Sequence, residues 1–248
     1  MLWKLINYIQ AVFILLVTFL SGGSVMLLRF ITRTPKYGFY VMRYFWAPLS
    51  LFFLQIKIRL NRKVDLPKDE VFIFFSNHTS WIDIAIVNLV VKRDLHFIAK
   101  SELKKKPFVG GAIKGMDMIF IDRRNRVDAI KSLDLAIKRI KGGKNIIAFP
   151  EGTRSRDGNM IKPFKKGIFH MAIQAQISLV PIALSGAYEL VPRGLKMRPG
   201  TVDVAIGDPI PTRDLSSDDL LSLMEKSWND LHGLKMVMDN QKEALSIA

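Results

Sequence analysis

The hydrophobic pattern of this chain has two regimes. Residues 8–28 carry no charge and are mostly Leu, Val, Ile and Phe. At roughly 20 residues the run is long enough to cross a bilayer. Gly22 and Gly23 are expected to interrupt it, and Arg29, Arg33, Pro35 and Lys36 follow. A second apolar stretch, residues 37–58, is broken by Arg43 and Pro48 and is rich in aromatic side chains such as Tyr37, Tyr44, Trp46 and Phe52. Such side chains collect at membrane–water interfaces. From about Gln55 the pattern becomes short β-like runs separated by amphipathic segments. The runs predict strands over 55–60, 71–75, 95–99, 118–121, 145–149, 179–184 and 201–206. Several are continuously apolar, as expected of strands covered on both faces. Between them, residues 126–141 place Val127, Ile130, Leu133, Ile137 and Ile140 on one stripe, and Gly142–Gly143 closes that helix. A last helix is expected over 217–238, opened by a capping box at Ser216 and Asp219. Strands alternating with helices argue for an α/β sandwich. The expected division is a membrane-anchoring pair of helices in residues 1–58 and an α/β domain in 59–248.

Composition sharpens this picture. The length, 248 residues, suits one α/β domain with a small appendage. No cysteine is present, which excludes disulfides, thiol nucleophiles and Cys-ligated metal sites. The net charge is +15, and the stretch 100–166 alone carries 18 Lys/Arg against 7 Asp/Glu. A basic block of this kind wants an anionic partner: nucleic acid, anionic lipid, a phosphorylated substrate or an acidic protein. The apolar N-terminus favours lipid. A cleaved signal peptide fits poorly, because only Lys4 precedes the apolar run and a second run follows at once. Two spanning helices would strand Arg29, Arg33 and Lys36 on the far side, against the positive-inside rule. One spanning helix and an element embedded in a single leaflet both remain allowed. Arg43 and Pro48 favour the embedded element, with the α/β domain on the cytoplasmic side of the cell membrane.

Candidate chemistry sits at predicted strand ends. The strand at 71–75 runs into Ser76-Asn77-His78-Thr79-Ser80-Trp81-Ile82-Asp83. If a helix starts near Ser80, Asp83 lies in its first turn and can face back to His78. A carboxylate on one imidazole nitrogen fixes the tautomer and leaves the other nitrogen as a base. A bound alcohol is then itself the nucleophile once its proton is taken. Ser80-x-x-Asp83 also reads as a capping box, with Asp83 serving only the helix. A second strand ends in Asp122-Arg123-Arg124, and a third in Phe149-Pro150-Glu151-Gly152-Thr153-Arg154-Ser155. Ligands of α/β sheets sit at strand ends, and a guanidinium fork suits phosphate. The bland reading of both segments is a solvated turn.

In order, residues 77–83, 120–124, 149–155 and Val180-Pro181-Ile182 resemble the four motif blocks of the glycerophospholipid acyltransferase family, nearest its bacterial 1-acyl-sn-glycerol-3-phosphate acyltransferases. The resemblance covers roughly residues 70–210. It implies a central mixed sheet flanked by helices, with His78 as general base and Asp83 orienting it. The acceptor would be lysophosphatidic acid, the donor acyl-CoA or acyl carrier protein, and the product phosphatidic acid. It also implies that Lys100, Arg124, Glu151, Gly152, Thr153 and Arg154 bind the acceptor, with Arg123 beside them. No metal or cofactor is called for. The oxyanion is expected to be held by backbone N–H groups near His78. Lys104–Lys106 and Lys165–Lys166 would meet anionic membrane lipids or an acidic carrier.

Other readings remain. Glycerol-3-phosphate or another lysolipid is an alternative acceptor. A hydrolase would need the same base, but no G-x-S-x-G elbow is present. The chain could also be a non-catalytic basic membrane-binding module. Nucleic-acid binding has charge in its favour but no recognised motif.

Overall fold

The computed structural model of the chain describes residues 2–122 and 126–247. Its helices are α1 (Leu2–Thr32), α2 (Lys36–Val41), α3 (Ala47–Phe53), α4 (Ile82–Val91), α5 (Val109–Gly115), α6 (Arg126–Lys141), α7 (Gly167–Ala175), α8 (Ala187–Leu190) and α9 (Leu220–Ile247). Its strands are β1 (Ile56–Arg62), β2 (Ile73–Ser76), β3 (Leu95–Lys100), β4 (Ile119–Ile121), β5 (Asn145–Ala148), β6 (Leu179–Ser185) and β7 (Gly200–Ile206). They form one seven-stranded sheet in the order β1-β7-β6-β2-β5-β3-β4. All neighbours are parallel except β6 and β7. The sheet is therefore mixed, and every predicted run is a strand, with ends shifted by one or two residues.

Period-2 alternation divides each central strand between two cores. Phe74, Ile147 and Ile182 face the layer of α3 and α4, whereas Ile73, Phe75 and Ile146 face α6, α7 and α9. Both faces are covered, which is why these strands read as unbroken apolar runs. β2 lies near the middle of the sheet, with parallel neighbours β5 and β6. The loops leaving β2, β5 and β6 therefore emerge side by side at the carboxyl edge. A crevice at that edge is the usual ligand position of such a sheet.

The N-terminal region differs from expectation in three ways. Helix α1 is longer than residues 8–28 and runs unbroken through Gly22 and Gly23. At Gly22 a Cβ would lie 3.1 Å from Phe108, so this glycine admits the segment leading into α5. The second apolar stretch is not one helix: α2 and α3 are joined by a π-helical turn, Met42–Trp46, with Pro48 in the first turn of α3. At the other end, the final helix continues past residue 238 to Ile247, and its Ser216–Asp219 capping box forms as expected.

Helix α1 is long and apolar enough to cross a membrane by length and composition. It is nevertheless docked along the domain. The Asn7 amide donates to the Met197 carbonyl at 2.8 Å and accepts from the Met197 N–H at 3.2 Å. Gln10 donates to the Phe53 carbonyl at 2.9 Å, and the Trp46 indole donates to Thr18 at 3.0 Å. Leu5, Val12, Leu15 and Leu27 on its other side are exposed. One face of α1 is thus buried against protein and the other is apolar and open.

Asn7 is a polar residue in a largely apolar helix, and its place follows from the orphan backbone groups of Met197. Asn7→Leu would raise helix hydropathy yet leave that buried peptide unpaired, at a cost of about 1–3 kcal/mol. Hydrogen exchange should accelerate at the Met197 amide and across residues 194–199, with β2 and β5 unchanged. Unaltered exchange there would show that the pair does not hold the loop.

Candidate active site

His78 follows β2 in the loop before α4. Asp83 lies in the first turn of that helix and is fully buried. Its Oδ2 accepts from the backbone N–H groups of Thr79 and Ser80, each at 2.8 Å, and sits 2.8 Å from His78 Nδ1. An ionised carboxylate only accepts, so this network assigns the ring hydrogen to Nδ1 and leaves the Nε2 lone pair free. The capping alternative is half realised: Asp83 reaches back to the Ser80 N–H, but the Ser80 hydroxyl donates to the Val191 carbonyl at 2.7 Å instead. The His78 ring stacks on Phe149, with centroids 4.0 Å apart and planes 15° from parallel. Its side chain is 16% exposed, enough for a small substrate group to reach it.

The loop after β5 grips the backbone of His78 from both sides. The His78 N–H donates to Glu151 Oε1 at 2.7 Å, and the Ser155 N–H donates to the His78 carbonyl at 2.8 Å. The other Glu151 oxygen accepts from the Ile161 N–H at 3.0 Å. Gly152, with φ at +75°, makes the left-handed turn that lets the chain fold back. Asn77 closes the opposite flank: its side-chain amide donates to the Leu184 carbonyl at 2.9 Å and accepts from the Leu184 N–H at 2.8 Å, so it continues the ladder between β2 and β6.

His78, Lys100, Gly152, Thr153 and Arg154 line one cavity of about 540 Å³. Glu151 does not line it. That carboxyl is buried behind the wall, occupied by backbone donors. Arg123 and Arg124 lie outside the described residues. The N–H groups of His78, Thr79 and Ser80 are committed to Glu151 and Asp83. The far wall of the cavity is apolar and comes from the N-terminal helices and α5, through Val25, Met42, Trp46, Ile113 and Met116. Arg193 also lines the cavity, on the connection after β6, and sequence reasoning passed over it. The signal available was its place after a strand of the sheet. Neither Lys100, Arg154 nor Arg193 forms an ion pair among the described residues. The arrangement sets the His78 imidazole beside these cations, with an apolar chamber behind.

A family model described as acyltransferase matches residues 57–185, just over half of the chain. The chain is 32% identical over 189 residues to the 1-acyl-sn-glycerol-3-phosphate acyltransferase of Saccharomyces cerevisiae, covering 73% of this chain and 62% of that protein. It is 32% identical over 186 residues to the human 1-acyl-sn-glycerol-3-phosphate acyltransferase alpha, covering 72% and 65%. The chain thus spans a little under two thirds of the length of these two relatives. The crystal structure of the 1-acyl-sn-glycerophosphate (LPA) acyltransferase PlsC from Thermotoga maritima matches with a TM-score of 0.75 at 28% identity, over 96% of this chain and 95% of that one. This chain belongs to the acyltransferase family.

Burial pushes the Glu151 carboxyl up to about 7, and the N–H groups of His78 and Ile161 pull it down only in part. The folded chain therefore holds this proton more tightly than the unfolded chain. The stability it contributes is complete below the ordinary glutamate value and is lost as pH rises through about 7. Glu151→Gln mimics the protonated form at every pH. The melting temperature of the wild type should fall relative to this variant between about pH 5 and 8, by roughly 2–4 °C per kcal/mol. A constant difference across that range would mean that Glu151 stays ionised in the fold.

Proposed function

We propose that this acyltransferase-family chain transfers a fatty acyl group from an acyl thioester, acyl-CoA or acyl carrier protein, to the sn-2 hydroxyl of 1-acyl-sn-glycerol 3-phosphate, giving phosphatidic acid. The observation that carries this reading is one cavity in which His78, backed by buried Asp83, meets Lys100 and Arg154, neither ion-paired among the described residues, on one side and an apolar chamber on the other. The acceptor in this reading has those same parts: a hydroxyl, a phosphate and an acyl chain.

His78 Nε2 takes the proton of the sn-2 hydroxyl, and the oxygen attacks the thioester carbonyl carbon. The resulting tetrahedral intermediate collapses with cleavage of the carbon–sulfur bond. The departing thiolate receives the proton that His78 holds. Asp83 stabilises the imidazolium formed in between and keeps Nδ1 turned away from the substrate. Lys100, Arg154 and, from the segment outside the described residues, Arg124 hold the phosphate. Gly152 and Thr153 form the turn that presents Arg154. Glu151 acts through His78, fixing the backbone that carries the base. The names of the yeast, human and Thermotoga relatives support lysophosphatidic acid over glycerol-3-phosphate as acceptor.

Residues 1–58 form the membrane anchor in this reading, embedded in one leaflet, with residues 59–248 on the cytoplasmic side of the cell membrane. Support comes from the docking of α1: a spanning helix would leave the domain, whereas Asn7, Gln10 and Thr18 tie much of its length to protein. Its exposed apolar side chains, Trp3 and Tyr8 among them, suit an interface.

The test is acyl transfer by the detergent-purified chain, with acyl-CoA and acyl carrier protein thioesters as donors. Wild type should form phosphatidic acid from lysophosphatidic acid and should not consume glycerol-3-phosphate. His78→Ala should lower the rate by about 10²–10⁴-fold or more. Asp83→Asn should approach the same loss, because an amide permits the wrong ring tautomer. Product from glycerol-3-phosphate alone would move the acceptor, and full activity in His78→Ala would remove the base.

A further inference from the structure

The connection between α8 and β7 lies outside all four motif blocks, yet it reaches the cavity at Arg193. It is a built segment. The Ser80 hydroxyl donates to the Val191 carbonyl at 2.7 Å, the Arg198 N–H donates to the Leu190 carbonyl at 2.8 Å, and Asn7 of α1 holds both backbone groups of Met197. Arg193 is thus positioned by the catalytic turn at one end and by the anchor helix at the other. Its Nη2 donates to the Arg154 carbonyl at 2.6 Å, which sets two guanidinium groups at the same rim. No acidic side chain pairs with it among the described residues. Cations gathered at one opening without counter-charge repel each other, and a dianion removes that cost while accepting several charge-assisted hydrogen bonds.

We infer that Arg193 is a further phosphate-binding residue, completing the acceptor's phosphate site from the connection between α8 and β7, beside Arg154 and in the same cavity as Lys100. The inference rests on the proposed acylation of lysophosphatidic acid. One guanidinium edge holds the turn that carries Arg154, and its remaining N–H donors face the ligand. The phosphate is consequently gripped from three strand ends, those of β3, β5 and β6. Coenzyme A also carries phosphates, so the same chemistry has a second source, and the substrates must be titrated separately.

The experiment uses the full chain in detergent with Arg193→Gln and Arg193→Lys, each checked for an unchanged melting temperature. The expected result is that Arg193→Gln raises KM for lysophosphatidic acid about tenfold or more, with kcat and KM for acyl-CoA within about twofold of wild type. Arg193→Lys, which keeps the charge and loses the fork, should fall between them. A rise in KM for acyl-CoA instead would assign Arg193 to the donor and overturn the inference. Equal loss in kcat and in both KM values, or a loss of thermal stability in both variants, would make Arg193 only a clamp on the Arg154 loop. An unchanged KM for lysophosphatidic acid would also overturn it. Wild type that forms no phosphatidic acid at all would instead remove the proposed function, and this assignment with it.

Discussion

One buried oxygen, Oδ2 of Asp83, holds the site in register. It receives the His78 ring and the N–H groups of Thr79 and Ser80, all at 2.8 Å, with no exposure to solvent. A carboxylate out of water is costly unless its lone pairs are filled. Here the filling comes from the turn that starts α4, where the free N–H groups and the helix dipole already favour a negative charge. The companion oxygen, Oδ1, is buried without a hydrogen-bond partner among the described residues, so the compensation is concentrated on one side. The arrangement therefore tolerates little displacement of the turn. It also engages the amides of Thr79 and Ser80, the two residues that follow His78.

Glu151 answers the same problem differently. Each of its oxygens takes a single backbone N–H, and burial outweighs them, so the carboxyl is pushed up to about 7. Its donors belong to the His78 loop and to Ile161 in the segment between β5 and α7, which makes it a tie between segments and no part of the cavity surface. The Ser155 N–H on the His78 carbonyl completes the tie from the other end. His78 is thus held through its backbone by the loop after β5 and through its ring by the helix after β2. The two loops cannot move independently without breaking these bonds.

Much of this was legible in the sequence, and the reasons are local. Continuous apolar runs between amphipathic segments identified the seven strands, because two-sided burial leaves no polar positions to confuse the period. The bounds of α6 coincide with Arg126–Lys141 because its stripe and closing glycines are both sequence-local. His78 and Asp83 were readable because five residues of chain bring them together. What failed was long-range. Gly22 and Gly23 looked like a break, whereas the contact with Phe108 that explains Gly22 comes from 86 residues further along. Glu151 looked like a ligand because its neighbours in sequence line the cavity, but the side chain turns inward to the His78 backbone. Arg193 has only its place after a strand to mark it, and the Asn7–Met197 pair has no local signal, since their partners lie 39 and 190 residues away.

The cavity joins the N-terminal helices and the α/β domain, because both line it. An acyl chain passing from bilayer to protein exposes about 0.8 kcal/mol of unfavourable surface for each methylene left in water. For a chain of roughly 16 carbons that would be on the order of 12 kcal/mol, enough to stop turnover at ordinary rates. A chamber walled by the apolar N-terminal helices would avoid the exposure. Val25 of α1 and the π-helical turn at Met42 and Trp46 supply that wall here, while α5 closes it with Ile113 and Met116. The same helix that offers Leu5, Val12 and Leu15 outward thus lines the chamber on its inner face. A flexible linker between anchor and domain would separate these two surfaces. The polar ties at Asn7, Gln10 and Thr18 keep them continuous, which is a physical reason for an apolar helix to retain three hydrogen-bonding side chains on its protein side.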